Sequence, residues 1–388
     1  TLADCIIESD HYPAVVMPPE YEDVDIGNEA PIQCLKTGLW LLEEAGQRFA
    51  VLVSPKGFHG QITGLQFQIA TTTSPEASTI TKRFFKHLED SVLRAKSYRG
   101  KILSLEKPEH FYSGAEAGIA VHRLRTVDRE QVILPQKTLE LLERNVIQFV
   151  QQREQLSQFQ QATKKGILFY GPPGTGKTHT IHYLAKALEG HTTFLISAEQ
   201  VGLLSDYMML ARLLQPSIVV MEDVDLIARE RTKMGGPCEE ALLNKLLNEM
   251  DGLTEAADIL FILTTNRPEA LEAALASRPG RVDQAIEFPL PDEVGRAKLV
   301  RLYSQGIEVS DDLVQNIVQR TGCVSAAFIK ELMRRSVQYH LHRNGTGRIE
   351  QADVDGALEE LLFSGGSLNL KMLGAESANE QEAVAAEV

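Results

Sequence analysis

The chain has 388 residues, 43% apolar and 24% charged, with a formal net charge of −14. That length exceeds what one hydrophobic core usually fills, so two or three domains are expected, and the composition is that of a soluble globular protein. The acidic balance argues against general attraction to nucleic acid or anionic lipid, no run of about 18 apolar residues offers a membrane span, and Thr1-Leu2-Ala3-Asp4-Cys5 lacks the basic start and apolar core of a signal peptide.

A first residue other than Met leaves room for a segment removed upstream, an anchor or address included. Cys5, Cys34, Cys238 and Cys323 lack metal-ligand spacing and read as reduced thiols of a cytoplasmic compartment.

Residues 1–118 read as a separate α+β domain. After a proline-punctuated extended entry (13–19) and an acidic run to Asp25, the spacing of Leu35, Leu39, Leu42 and Ala45 predicts a helix over 31–45. Strands follow at 49–53 and 61–70 with a loop at 55–60, then a helix over 75–95 and a strand at 101–105. Lys82, Arg83, Lys86, Arg94, Lys96, Arg99 and Lys101 read either as a patch for nucleic acid or an acidic partner, or as a solvated face. Phe84, Phe85, Leu88 and Val92 complete an amphipathic helix, which favours the solvated face. No catalytic constellation stands out in this part.

A linker is expected at 108–118, a strand at 119–124, the extended stretch Val132-Ile133-Leu134-Pro135, a helix over 138–152 and its glutamine-rich solvated continuation to 161. The apolar strand 166–170 then runs into Gly171-Pro172-Pro173-Gly174-Thr175-Gly176-Lys177-Thr178, with helical spacing from 180 to 188. Strand, glycine-rich loop and helix in that order are what a phosphate cradle requires. Backbone N–H groups turn inward, the helix N-terminus faces the anion, Lys177 neutralises the β- and γ-phosphates of a nucleotide, and the Thr178 hydroxyl holds Mg²⁺.

Strands recur at 192–196, 217–221, 259–264 and 284–288. Continuous apolar runs such as Ile218-Val219-Val220-Met221 indicate a parallel sheet sandwiched by helices, an α/β P-loop fold. Large and lid subdomains are expected at 119–290 and 291–366, the latter all helical, followed by a disordered acidic tail at 367–388.

Further stretches complete a nucleotide engine. Glu222-Asp223-Val224-Asp225 places carboxylates at the C-terminal end of a buried strand, Asn266 ends the neighbouring strand where it can orient a water, and Arg278 and Arg281 supply guanidiniums for developing charge. Together with Glu249-Met250-Asp251-Gly252-Leu253, these stretches resemble the AAA family of ring-forming ATPases over residues 132–363. The resemblance makes Gly171–Thr178 the Walker A loop, Glu222-Asp223 the end of Walker B and Asn266 sensor 1. It makes Arg278 and Arg281 arginine fingers on the ATP of an adjacent subunit, Val132 and Ile133 part of the adenine pocket, and the assembly a homo-oligomeric ring, commonly a hexamer.

Three departures mark this chain within that pattern. The order Glu222 then Asp223 reverses the usual Asp then Glu, so that Glu222 would hold the Mg²⁺ shell and Asp223 would polarise water. The segment after residue 196 lacks an aromatic-aliphatic-glycine gripping loop, leaving Leu203-Leu204 or Tyr207-Met208-Met209 as substitutes or as helix core. Ser325-Ala326-Ala327 stands in the lid where relatives carry Gly-Ala-Asp, with Lys330 or Arg334 as sensor 2. The first two departures, with the Val132-Ile133-Leu134 entry, lean toward the mitochondrial Rieske-protein translocase branch.

The function expected is coupling of ATP hydrolysis to remodelling, unfolding or translocation of a protein client recruited through the N-terminal domain, without nucleic acid or a membrane segment. The alternatives are a slow nucleotide-gated assembly scaffold and a nucleic-acid remodeller.

Overall fold

The computed structural model describes residues 6–9, 12–16, 18–58, 61–106, 118–225, 248–249, 257–269, 282–343, 345 and 347–361, with side chains at 6–16 and 57–63 left aside. Arg278 and Arg281, Met250–Leu253, most of the expected linker, Cys5, Cys238 and the tail lie outside these residues. In chain order the elements are β1 (Ile6–Ser9), β2 (Tyr12–Val16), β3 (Glu20–Val24), β4 (Ile32–Glu44), β5 (Gln47–Phe58), β6 (Gln61–Thr71), α1 (Pro75–Arg94), β7 (Ile102–Leu105) and β8 (Ile119–His122). There follow α2 (Gln136–Leu142), β9 (Lys165–Tyr170), α3 (Lys177–Ala187), β10 (Thr192–Ile196), α4 (Leu204–Leu213), β11 (Ser217–Met221), β12 (Ile259–Thr265) and β13 (Gln284–Glu287). The last helices are α5 (Glu293–Tyr303), α6 (Asp311–Arg320), α7 (Ala326–His342) and α8 (Gln351–Glu359), and a few shorter helical turns intervene. Two compact units result: residues 1–123 with 190–196 and 200–218, and residues 124–189 with 197–199 and 219–388.

In the first unit β3, β4, β5 and β6 form an antiparallel sheet in chain order. This corrects the helix expected over 31–45, of which residues 32–44 form β4. The two-residue connection Ala45-Gly46, with φ +52° and +78°, joins Glu44 paired to Gln47, the geometry of a primed hairpin turn whose twist suits the flanking strands. Cross-strand pairs such as Leu39 with Leu52 and Leu41 with Ala50 then extend over the whole hairpin. The expected loop at 55–60 is likewise shorter, because β5 continues to Phe58. Pro55 is tolerated there because the ladder to β4 stops at Gly38 paired with Val53, so no partner waits for the missing N–H.

Helix α1 starts where sequence chemistry puts it: the Ser74 hydroxyl accepts from the Ala77 N–H at 3.1 Å and Pro75 opens the first turn. It buries Ala77 and Ile80 but leaves Phe85 and Val92 exposed. Within the basic cluster, Arg83 pairs with Glu44, Arg99 donates to the carbonyls of Leu93, Leu213 and Gln215, and Lys101 holds the Ile26 carbonyl and Asn28. β10 runs parallel to β7, and β7 antiparallel to β8, around buried Leu103 and Phe194. Leu204, Tyr207 and Met208 of α4 are fully buried and belong to the core, whereas Leu203 is half-buried and Met209 is 60% exposed. The Tyr207 hydroxyl accepts from the Leu105 N–H at 2.7 Å and reaches the Leu195 carbonyl, and burial pushes its pKa up to about 12.

In the second unit β9 lies between β13 and β12, all parallel, with Ile167 opposite both Gln284 and Ile262, and the closing residues of β11 flank β12. Every residue of β12 is buried, as its continuous apolar run requires. The helices α5 to α8 pack around Leu299, Val300, Ile317, Phe328, Leu332, Met333, Val354 and Leu361. Their starts are capped by side chains: Asp292, Ser310 and Ser325 each accept from a backbone N–H three residues on. No helix among the described residues is long and apolar enough to cross a membrane.

Candidate active site

The site is assembled where β9 ends and α3 begins. The Phe288 N–H donates to the Tyr170 carbonyl at 2.7 Å, and a Cβ at Gly171 would fall 2.2 Å from the Phe288 carbonyl oxygen, so only glycine, here at φ +145°, lets the chain leave the sheet at this point. Across the loop the Gly174 carbonyl accepts from the Ala327 N–H at 3.1 Å, which docks the first turn of α7 on the loop.

Lys177 folds back over the loop, its Nζ donating to the Gly171 and Pro172 carbonyls at 2.7 and 2.9 Å. Burial lowers its pKa to about 8, against the opposing pull of Asp223 and Asp225. Thr178 Oγ1 donates to Glu222 Oε1 at 2.7 Å. A hydroxyl beside a carboxylate is a hard oxygen donor set, which fits Mg²⁺.

At the end of β11 the chain turns sharply: Asp223 has φ +48°, a left-handed backbone uncommon outside glycine, and its N–H donates to Thr264 Oγ1 at 3.0 Å. That turn aims its Oδ1 at Asn266, whose Nδ2 donates to it at 2.9 Å. Asn266 is itself held from behind. Buried Asp225 accepts from the Thr265 hydroxyl at 2.8 Å and from the Asn266 N–H at 3.2 Å.

These groups open on a cavity of about 370 Å³ whose walls include Gln131, Val132, Ile133 and Leu134, the loop from Pro173 to Thr178, Asp223, Asn266, and Tyr303 and Lys330 of the helical part. Of the expected site residues that are described, Pro173, Gly174, Thr175, Gly176, Lys177, Thr178, Val132, Ile133, Asp223 and Asn266 line this cavity, while Gly171 and Pro172 adjoin it through Lys177 and Glu222 through Thr178. Of the two residues considered for sensor 2, Lys330 faces the cavity, whereas the Arg334 guanidinium holds Glu331 on the same helix. Two residues escaped the sequence reading. Asp225 stood in the quoted acidic stretch but nothing in the pattern separated a pin from a ligand. His179, following the loop, contacts the Gln131 carbonyl through Nε2 at 3.2 Å. Its pKa is lowered by burial, opposed by that carbonyl, with His182, Lys330 and Arg125 lowering it further. It ties the helix after the loop to the start of the wall at 131–134.

Residues 167–290 match the family model described as "ATPase family associated with various cellular activities (AAA)". The chain is 32% identical over 304 residues, 74% of its length, to a proteasome-activating nucleotidase of Methanocaldococcus jannaschii, of which 66% is covered. It is 35% identical over 51% of its length to the ATP-dependent zinc metalloprotease FtsH 4 of Sphaerobacter thermophilus, covering 32% of that protein. It is also 32% identical over 54% of its length to a 26S proteasome regulatory subunit 8 homolog of Naegleria fowleri, covering 53% of it. The chain thus spans from about a third to about two thirds of the length of these three relatives.

Proposed function

Because the chain belongs to the AAA family of ATPases, we propose that it hydrolyses ATP with Mg²⁺ at this site and uses the cycle to remodel, unfold or translocate a protein client as a ring oligomer. The observation that carries the reading is the double contact at the strand ends: Thr178 on Glu222, and Asn266 on Asp223. It supports different roles for the two carboxylates.

Thr178 and Glu222 would hold Mg²⁺, whose charge would draw off electron density from the β- and γ-phosphates. The loop N–H groups and Lys177 bind the phosphate oxygens, with Lys177 exchanging its two carbonyl partners for them. Asp223 accepts a proton from the attacking water, and Asn266 orients that water with its amide. Val132 and Ile133 wall the base. Closure of α7 on the loop through Ala327 and Gly174 excludes water, and loss of the γ-phosphate loosens it. Arg278 and Arg281 act from the neighbouring subunit, and the N-terminal unit receives the client. The finer placement in the Rieske-translocase branch rests on the Glu222-Asp223 order and on the absence of a gripping loop around Tyr207.

The test is steady-state ATP hydrolysis beside mass in solution, with ATP and with ADP, for the intact chain, Lys177→Ala and Arg281→Ala. Nucleotide-dependent assembly with turnover lost in both variants is expected. A monomer with turnover indifferent to Arg281→Ala would sink the ring mechanism and leave a nucleotide switch.

A further inference from the structure

The four-stranded sheet of the first unit ends on two edges of opposite character. β3 carries Glu20, Glu22 and Asp23 among its five residues, the charged guard that sheets place against unwanted pairing. β6 forms the other edge and is eleven residues long, with neither a charged residue nor a proline. Among the described residues no strand pairs with its outer side. A long, uncharged edge is a template for another strand.

The sequence of β6 says which strand. About Phe67 it reads alike in both directions: Gln66 and Gln68, Leu65 and Ile69, Gly64 and Ala70, Thr63 and Thr71. We propose that β6 is a two-fold contact through which two copies of this chain pair edge to edge, antiparallel about Phe67. A two-fold interface opposes residue i to j and j to i, so symmetry about Phe67 sets each residue from 63 to 71 opposite its chemical like, with no charge facing a charge. Leu65, Phe67 and Ile69 share one face with Pro55, Val53 and Val51, to which they are registered in β5. Leu65 is 45% exposed and Phe67 and Ile69 are half-buried, so pairing lays the same apolar row of the partner against a row that the sheet leaves partly open. The exposed amides of Gln66 and Gln68 face each other across the contact.

A six-fold ring joins neighbours head to tail, so this contact joins chains of different rings, or chains outside any ring, and goes beyond the proposed ATPase cycle. It also requires no nucleotide, which separates its test from that of the catalytic reading.

The experiment measures mass in solution of the full nucleotide-free chain across a concentration series, for wild type and two charge variants. Gln66→Lys with Gln68→Lys sets like charges opposite each other twice and should weaken dimerisation at least about fivefold. Gln66→Lys with Gln68→Glu sets opposite charges together twice and should keep the dimer. In parallel, Phe67→Cys lies on the axis, about 5 Å from its copy and within disulfide reach, whereas Leu65→Cys lies about 14 Å from its own copy and should cross-link only with Ile69→Cys. Peptide mapping separates these links from any made by native cysteines. A monomeric wild type, equal association of both charge variants, or cross-linking of Leu65→Cys to itself as readily as Phe67→Cys would each overturn the proposal. An edge that captures an extended peptide while the chain stays monomeric overturns it too. Should the double lysine variant lose its thermal transition, the cysteine pair decides alone.

Discussion

Two donors of Lys177 are taken by the carbonyls of Gly171 and Pro172, and its pKa is lowered to about 8 by burial. Phosphate oxygens favour the charged form, so binding should pull a proton onto the amine. At about pH 8 roughly half of the sites lack that proton, and ATP binding should take up about half a proton per site, falling toward none near pH 6.5. Calorimetry in buffers of different ionisation enthalpy measures this. Lys177→Arg should abolish the uptake, and uptake unchanged in that variant would assign it elsewhere. The same shift has a sign for stability of the nucleotide-free protein. The folded pKa lies below the unfolded one, so between about pH 8 and 10.5 the unfolded chain binds more protons and this group's contribution to stability rises with pH.

Asp223→Asn should retain nucleotide binding while turnover falls by about 10²-fold or more, as removal of a general base does. Asp225 predicts a different signature. Asp225→Ala leaves the Thr265 hydroxyl and the Asn266 N–H without their acceptor, at a cost of roughly 1–3 kcal/mol in folding stability. Since Asn266 then loses its aim, kcat should fall while KM for ATP stays within about twofold, a split that separates positioning from binding. At this scale the sequence was legible wherever chemistry dictates a residue type at a spacing, as in the loop and at Glu222, Asp223 and Asn266. Asp225 and His179 were not, because an internal pin and a backbone tether carry no spacing rule of their own.

Among the elements, α7 meets the phosphate loop through small groups. A Cβ at Gly174 would come within 2.8 Å of both Ala327 Cβ and Ser325 Oγ, at a backbone φ of +76° that side chains rarely adopt. Gly174→Ala should therefore push α7 off the loop, raising KM for ATP by about tenfold or more with little loss of helical signal in circular dichroism. An unchanged KM would mean that this contact does not shape the bound state. Ser325→Ala removes the cap of α7 and should cost about 1 kcal/mol, read in chemical denaturation. The four long helices of this region were predictable from their periodicity and breakers. β4 was not: Leu35, Leu39 and Leu42 keep helical spacing, and the cue against it, a two-residue turn at Ala45-Gly46, places an alanine where Asn or Asp usually signals a primed hairpin. Pairing on both sides of β4 then outweighs a weak local preference.

For the whole molecule, every described residue of the cavity belongs to the second unit. Calorimetric unfolding should therefore show a transition that ATP moves and one that it does not. At a hundredfold excess over Kd, ATP stabilises by about 2.7 kcal/mol, or roughly 5–10 °C for a domain of this size. A shift of both transitions together would mean that the units unfold as one.

The crowding at Phe288 has a mechanical consequence. Its N–H is bonded to Tyr170 and its carbonyl lies against Gly171, a few residues before the chain enters α5. The near end of the loop and the root of the helical region are thus clamped at one fulcrum, while the far end of the loop is held to α7 at a distance from it. A rotation of the helices then leaves the Gly171 end still and swings the Gly174 end, so the loop behaves as a short lever whose working arm lies on the phosphate side.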